Sequence, residues 1–362
     1  MLFIVPRITC WIQSHGVKLI IYDPLKVAGD SRVAGTPNFQ RYSEDKNGKK
    51  TGVSVAKIVP VGVIAMKKRF HGRQPIFFFL FLLSFFVQEA FSQDGKSFLC
   101  KAQSERSTVY LLGSIHLLKK ENYPLNQKIE DAFDNSNFLV VEANIQDQDK
   151  MNPETIMARA IYPANDNIAA HLSLDTYELL KKEAAKLDLP LEMINRQRPW
   201  FLSMALEAME LLKLGYDPGY GLDNYFLSKA AGQKKILELE SLDEQVNLLS
   251  DLSDREQELM LLLTLKDLQR AAREVEQLVQ AWKSGDMKGM EAMIAKSPKE
   301  DLRLTPIYEK LINDRNRKML SKIEDYLKGN ATYFVVVGAA HLVGEKGIVE
   351  ALLKKGYRVE QL

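Results

Sequence analysis

Tyr333-Phe334-Val335-Val336-Val337-Gly338-Ala339-Ala340-His341 is the stretch that decides the fold class. Its first five residues are aromatic or β-branched with no polar alternation, the pattern of a strand covered on both faces. Glycine ends the run. Beyond it the pattern predicts a helix from about Lys346 to Lys355, a Gly356-Tyr357 turn and a short final strand over Arg358–Gln361. Working outward, three more segments have strand composition: Thr108–Leu112 (TVYLL), Asn137–Val141 (NFLVV) and Lys235–Leu239 (KILEL). Between Pro153 and Lys328 the apolar spacing is mostly helical, over Leu174–Leu187, Trp200–Leu214, Asp223–Ala231, Asp254–Trp282, Lys288–Ala295 and Pro306–Leu327. Ser253-Asp254-Arg255-Glu256 supplies a capping box for the longest of these, and Gly329-Asn330 stops the last. The expected class is α+β, close to α/β. A small mixed sheet is formed by both ends of the chain beyond residue 92, with a large helical insertion over about 153–328.

Composition divides the 362 residues at the same place. Residues 1–92 hold 13 Lys+Arg and 5 Asp+Glu, a net of +8, whereas the rest hold 36 and 42, a net of −6. An acidic main body lacks the electrostatic footprint of a nucleic-acid binder. With 46% hydrophobic and 27% charged residues the whole is neither disordered nor polytopic in a membrane. The basic head Met66-Lys67-Lys68-Arg69 precedes the apolar run Ile76–Val87 (IFFFLFLLSFFV) and then Ala90-Phe91-Ser92, the three-part build of a secretory signal. Twelve helical residues reach about 18 Å, short of a bilayer core of about 30 Å; the alternative is a single anchoring helix extended through Phe91. The expected organisation is therefore an over-extended, disordered N-terminal segment over 1–65, a signal peptide over 66–92 and one domain over 93–362. The protein would be exported to the periplasm, the cell envelope or beyond, touching the membrane only through the signal. Cys100 stands alone past the signal, so no internal disulfide is expected, and it reads as a small buried or edge residue.

Each predicted strand leads straight into a reactive side chain. TVYLL runs into Gly113-Ser114-Ile115-His116, NFLVV into Glu142, KILEL into Glu240 and YFVVV into Gly338-Ala339-Ala340-His341. Open parallel sheets bind ligands beyond the carboxyl ends of their strands, so two His and two Glu from distant parts of the chain can meet on one rim. In Gly-x-x-His, glycine would let the backbone leave the strand in a conformation closed to other residues. Imidazole nitrogens and carboxylate oxygens suit a divalent ion, which lowers the pKa of bound water, and a Glu outside the ligand set can act as base. A serine nucleophile at Ser114 is conceivable, but the surroundings are not Gly-x-Ser-x-Gly. Gly338, Gly344 and Gly347 match no phosphate-loop spacing. His171 reads as structural, and the aromatic segment Tyr216–Gly221 as a fixed turn with a mobile substrate loop as the alternative.

The segment from Val109 to Asn144 (VYLLGSIH through NFLVVEAN), then Gly221-Leu222-Asp223, Leu239-Glu240 with Gln245, Arg315-Asn316-Arg317 and VVVGAAHLVGEKGIVEALLKKGYRV resemble the TraB/GumN family, which is related to the TIKI proteases. The resemblance covers nearly all of residues 93–362 in order and fits an exported GumN-like branch. It implies a metal-dependent peptidase using Mn, Co or Zn on a peptide or protein substrate. His116, His341 and Glu142 would be ligands, Glu142 and Glu240 the acid–base candidates, and Arg315 and Asn316 the groups that bind substrate or steady an oxyanion. The alternative is a non-catalytic envelope protein that binds a peptide or polysaccharide on the same rim.

Overall fold

The computed structural model describes residues 95–147 and 153–362. The signal-like run and the residues before it lie outside that range. Among the described residues no helix is long and apolar enough to cross a membrane.

Six strands form one mixed sheet: β1 (Leu99–Gln103), β2 (Thr108–Ser114), β3 (Phe138–Val141), β4 (Lys235–Glu238), β5 (Thr332–Gly338) and β6 (Arg358–Gln361), in the spatial order β4-β3-β5-β2-β1-β6. The α+β class, the five anticipated strands and the helical insertion are all present. Strands β4, β3, β5 and β2 are mutually parallel, while β1 pairs antiparallel with β2 and β6. The late strand β5 lies between β3 and β2 and is buried from Phe334 to Gly338, which explains its unbroken apolar run.

β1 was not expected from its sequence, LCKAQ, because Lys101 and Gln103 dilute the strand signal. Pairing supplies what composition lacks: Cys100 stands opposite Leu111 on one side and Gln361 on the other. Cys100 is buried, and burial pushes its thiol up to about 12, so the thiolate is suppressed.

Ten helices of seven residues or more surround the sheet among the described residues: α1 (Gln127–Asp134), α2 (Pro153–Ala160), α3 (Leu174–Lys186), α4 (Pro199–Lys213), α5 (Leu222–Ala230), α6 (Leu242–Ser250), α7 (Asp254–Lys283), α8 (Met287–Ile294), α9 (Asp314–Leu327) and α10 (Ile348–Lys354). Unanticipated α1 is capped by Asn126, whose side chain accepts from Lys128 N at 2.9 Å. Its Ile129, Ala132 and Phe133 are buried, and the Phe133 ring meets Phe334 of β5 edge-on at 5.5 Å. Helix α4 is buried nearly all round, from Trp200 and Phe201 to Ala208 and Leu211, and packs along α7. Between them Ser203 and Thr264 hydroxyls meet at 2.6 Å, and Thr264 donates to Glu207 at 2.9 Å; burial raises the Glu207 carboxyl. Trp282, at the end of α7, donates its indole N–H to Gly113 O at 2.7 Å, pinning the insertion to β2.

The predicted helix Pro306–Leu327 is not uniform. A π turn occupies Glu309–Asn313, directly before α9. Such turns widen a helix by one residue and are frequent at functional sites.

His171 has partners different from those of His116 and His341. Its Nδ1 meets Asp254 Oδ2 at 3.0 Å, its Nε2 meets Asp166 Oδ2 at 2.9 Å, and its ring stacks on Tyr162 at 4.2 Å. Burial works against the charged ring, but hydrogen bonds and charge from Asp254 and Asp166 outweigh it and raise the pKa above 6.5. A raised folded pKa adds stability that is complete below the unfolded value and is lost as pH rises through the folded one. The stability gap between wild type and His171→Ala, followed by urea unfolding, therefore narrows as pH rises above the ordinary histidine value of 6.5.

Candidate active site

The parallel register decides where the reactive side chains go. Val141 is paired with Val336 of β5 and with Glu238 of β4, and Ser114 with Gly338. Beyond the last ladder pair, Leu239 N donates to Val141 O at 2.9 Å and Glu240 N to Glu142 O at 2.7 Å. Four strands thus end level with one another, and Glu240, Glu142, His341 and His116 leave the same edge in the order β4, β3, β5, β2. All four side chains are buried.

The two carboxylates are locked together by Arg315 from the first turn of α9. Its Nε donates to Glu240 Oε1 and Oε2 at 3.0 Å each, and its Nη2 to Glu240 Oε2 at 2.9 Å and Glu142 Oε2 at 2.6 Å. Its Nη1 donates to Leu311 O, a carbonyl of the π turn, at 3.1 Å. Burial opposes the guanidinium charge, but Glu142 and Glu240 outweigh it and raise its pKa. Gln245 of α6 donates to Glu240 Oε2 at 3.1 Å and Glu142 Oε2 at 3.3 Å. The other oxygen of Glu142, Oε1, accepts from Gly338 N at 2.5 Å.

Each histidine is held from behind. His116 Nδ1 lies 2.5 Å from Asp223 Oδ2, and Ser114 Oγ donates to the same oxygen at 3.0 Å. His341 Nδ1 lies 2.6 Å from Asn316 Oδ1, and Asn316 Nδ2 donates to Lys346 O at 3.0 Å. Ser114 is therefore hydrogen-bonded to the acid rather than to the His116 ring, which is not the geometry of an activated serine. The resemblance implied Arg315 and Asn316 on a substrate or oxyanion. The structure instead puts the guanidinium on two carboxylates and the amide between His341 and Lys346, because both side chains leave the buried first turn of α9.

Asp223 was not among the expected site residues, although Gly221-Leu222-Asp223 is one of the segments that carry the family resemblance; it stands at the start of α5. There the backbone comes so close to β2 that a β-carbon on Gly221 would fall on the His116 carbonyl oxygen and lie 3.0 Å from Pro218 O. Leu222 N donates to Ile115 O at 3.2 Å across this contact. The Asp217 side chain accepts from Gly219 N at 2.6 Å and Asp217 N donates to Leu118 O at 2.9 Å, so the aromatic segment is a fixed turn. Gly221→Ala is expected to lower stability by about 1–3 kcal/mol, measured by urea unfolding, since backbone rather than a side-chain tip must give way.

The glycines of the two Gly-x-x-His motifs serve space, not unusual conformation. Neither Gly113 nor Gly338 has positive φ, and Gly338 sits at φ −50°. A β-carbon on Gly338 would lie 3.4 Å from Glu142 Oε1, 3.5 Å from His116 Nε2 and 3.5 Å from His341 Cδ2. The missing side chain leaves a cradle that all three residues face. His341 Nε2 is 3.9 Å from Glu142 Oε1. No three His, Cys, Asp or Glu side chains among the described residues are already gathered as a metal-holding group. The donor chemistry nonetheless fits a divalent cation, with two imidazoles and a carboxylate around one small space. Among these site residues three carboxylates, Glu142, Glu240 and Asp223, are buried with a single guanidinium, a balance that favours a cation.

The chain is similar to several known proteins. The uncharacterized protein YbaP of Escherichia coli (strain K12) is 27% identical over 246 residues, 67% of this chain and 87% of YbaP. An uncharacterized protein of Treponema pallidum (strain Nichols) is 24% identical over 264 residues, 69% of this chain and 78% of its own. A metalloprotease TIKI homolog of Amphimedon queenslandica is 40% identical over 58 residues, 16% of this chain and 11% of that one. No solved structure matches. The pattern that defines the TraB/PrgY/gumN family matches residues 98–361, almost the whole described sheet and insertion, and the chain belongs to that family.

Proposed function

We propose that this protein is a metal-dependent hydrolase acting on peptide bonds, exported to the cell envelope or beyond. The observation that carries the reading is the cradle at Gly338, faced by His116, His341 and Glu142 amid an excess of buried carboxylate. The partial likeness to a protein named as a metalloprotease supports it. His116, His341 and Glu142 would hold the ion. When bound, a divalent ion there lowers the pKa of water and polarises a carbonyl.

The chain's own groups prepare that chemistry. Arg315 holds Glu142 and Glu240 aligned, and Gln245 ties the same two carboxylates. Gly338 N–H holds Glu142 Oε1 toward the cradle, where it would serve as a ligand oxygen. Glu240 acts on the site through Arg315 and Gln245.

The test is stoichiometric. Chelator-treated protein titrated with Mn, Co or Zn should take up one ion, and loaded protein should cleave members of a peptide library read by mass spectrometry. His116→Ala with His341→Ala should stay folded and lose both. An absence of uptake and cleavage in the parent, or full metal retention by the double variant, would favour the non-catalytic envelope protein instead.

A further inference from the structure

We propose that Asp223 is the positioning residue for His116, fixing which ring nitrogen faces the cradle. The inference rests on the reading of His116 as a ligand. A neutral imidazole carries its proton on one nitrogen and its lone pair on the other, and a strong acceptor beside one nitrogen selects the tautomer. Asp223 Oδ2, 2.5 Å from Nδ1, belongs to a carboxylate, which accepts and has no proton to give. It therefore holds the proton on Nδ1 and the lone pair on Nε2, the atom 3.5 Å from the Gly338 β-position.

Two features show the arrangement is built. Gly221 permits the backbone contact that brings the start of α5 against the His116 turn. Ser114 donates to the same Asp223 oxygen at 3.0 Å, so the carboxylate is held from two sides of one strand end. The second histidine is served differently. Its Nδ1 meets the Asn316 amide oxygen, a neutral acceptor, at 2.6 Å. A charged partner raises the donor strength of its imidazole more than a neutral one does. His116 is therefore the stronger of the two ligands, although the two motifs read alike in sequence.

The experiment uses the full chain labelled with ¹⁵N-histidine, five residues in all. Long-range ¹H–¹⁵N spectra of the metal-free protein report each tautomer, and titration with Mn, Co or Zn reports affinity. Wild type should show His116 protonated on Nδ1. Asp223→Ala should move His116, and not His341, toward the Nε2-protonated form and weaken metal binding about 10- to 100-fold. Asp223→Asn keeps an acceptor oxygen and should restore the tautomer with part of the affinity. Asn316→Ala should move His341 alone.

An unchanged His116 tautomer in Asp223→Ala overturns the proposal, as does an equal shift of both histidines, which reports general distortion. Should Asp223→Ala fail to fold, the wild-type tautomer and the Asp223→Asn rescue still decide it. A protein that takes up no metal yet shows the predicted tautomers sinks the metalloenzyme reading while leaving the positioning role of Asp223 in place.

Discussion

Arg315→Met is expected to lower the unfolding free energy by about 3–5 kcal/mol, because it leaves two buried carboxylates without their shared cation. Glu142 and Glu240 have side chains only 2% and 7% exposed, so water cannot replace the guanidinium. The arginine makes four contacts of 2.6–3.0 Å to them, and Gln245 offers only one amide group to both. Removing charge from the acids should reverse most of the damage. Arg315→Met combined with Glu142→Gln and Glu240→Gln should be markedly more stable than Arg315→Met alone, a non-additivity read by a mutant cycle in urea. A loss below about 1 kcal/mol for the single variant would mean the pair behaves like an exposed salt bridge, and the argument for a closed ionic site would fail.

Gly338→Ala should separate binding from folding. The glycine has ordinary extended φ and ψ, and an added methyl would meet its neighbours at 3.4–3.5 Å, which is normal packing distance. Stability should change by less than about 1 kcal/mol. The methyl nevertheless occupies the space faced by Glu142 Oε1, His116 Nε2 and His341, so divalent-ion uptake should fall at least about 100-fold, an affinity loss of about 2.7 kcal/mol or more. Isothermal titration beside urea unfolding reads both numbers. This variant leaves every proposed ligand in place, so a fall in uptake cannot be put down to removing a donor. Full uptake by a folded Gly338→Ala protein would move the binding place away from the cradle.

Local sequence was informative wherever a residue's role depends on its immediate neighbours. Thr108–Leu112, Asn137–Val141 and Tyr333–Val337 announce strands because a covered strand needs unbroken apolar character. Ser253 and Glu256 announce the start of α7 because a capping box spans only four consecutive residues. Where partners supply the energy the signal disappears. β1 forms because both of its neighbours pair with it, and α1 because Phe133 finds Phe334 and Phe226. The π turn before Arg315 leaves no trace in apolar spacing, since an extra residue per turn is set by what the helix packs against.

The sequence by itself determined which side chains stand at the strand ends: His116, Glu142, Glu240 and His341 each follow a strand that its own composition specifies. Tertiary structure alone decided that these ends lie on one edge, through the insertion of β5 between β3 and β2. It also decided that Arg315 joins the two acids and that Asp223 and Asn316 stand behind the two histidines. The physical reason is range. Strand character and capping are short-range properties of the chain, whereas the place of β5 in the sheet and the pairing of Arg315 with two acids come from contacts between residues more than 70 positions apart, such as Glu240 with Arg315 at a separation of 75.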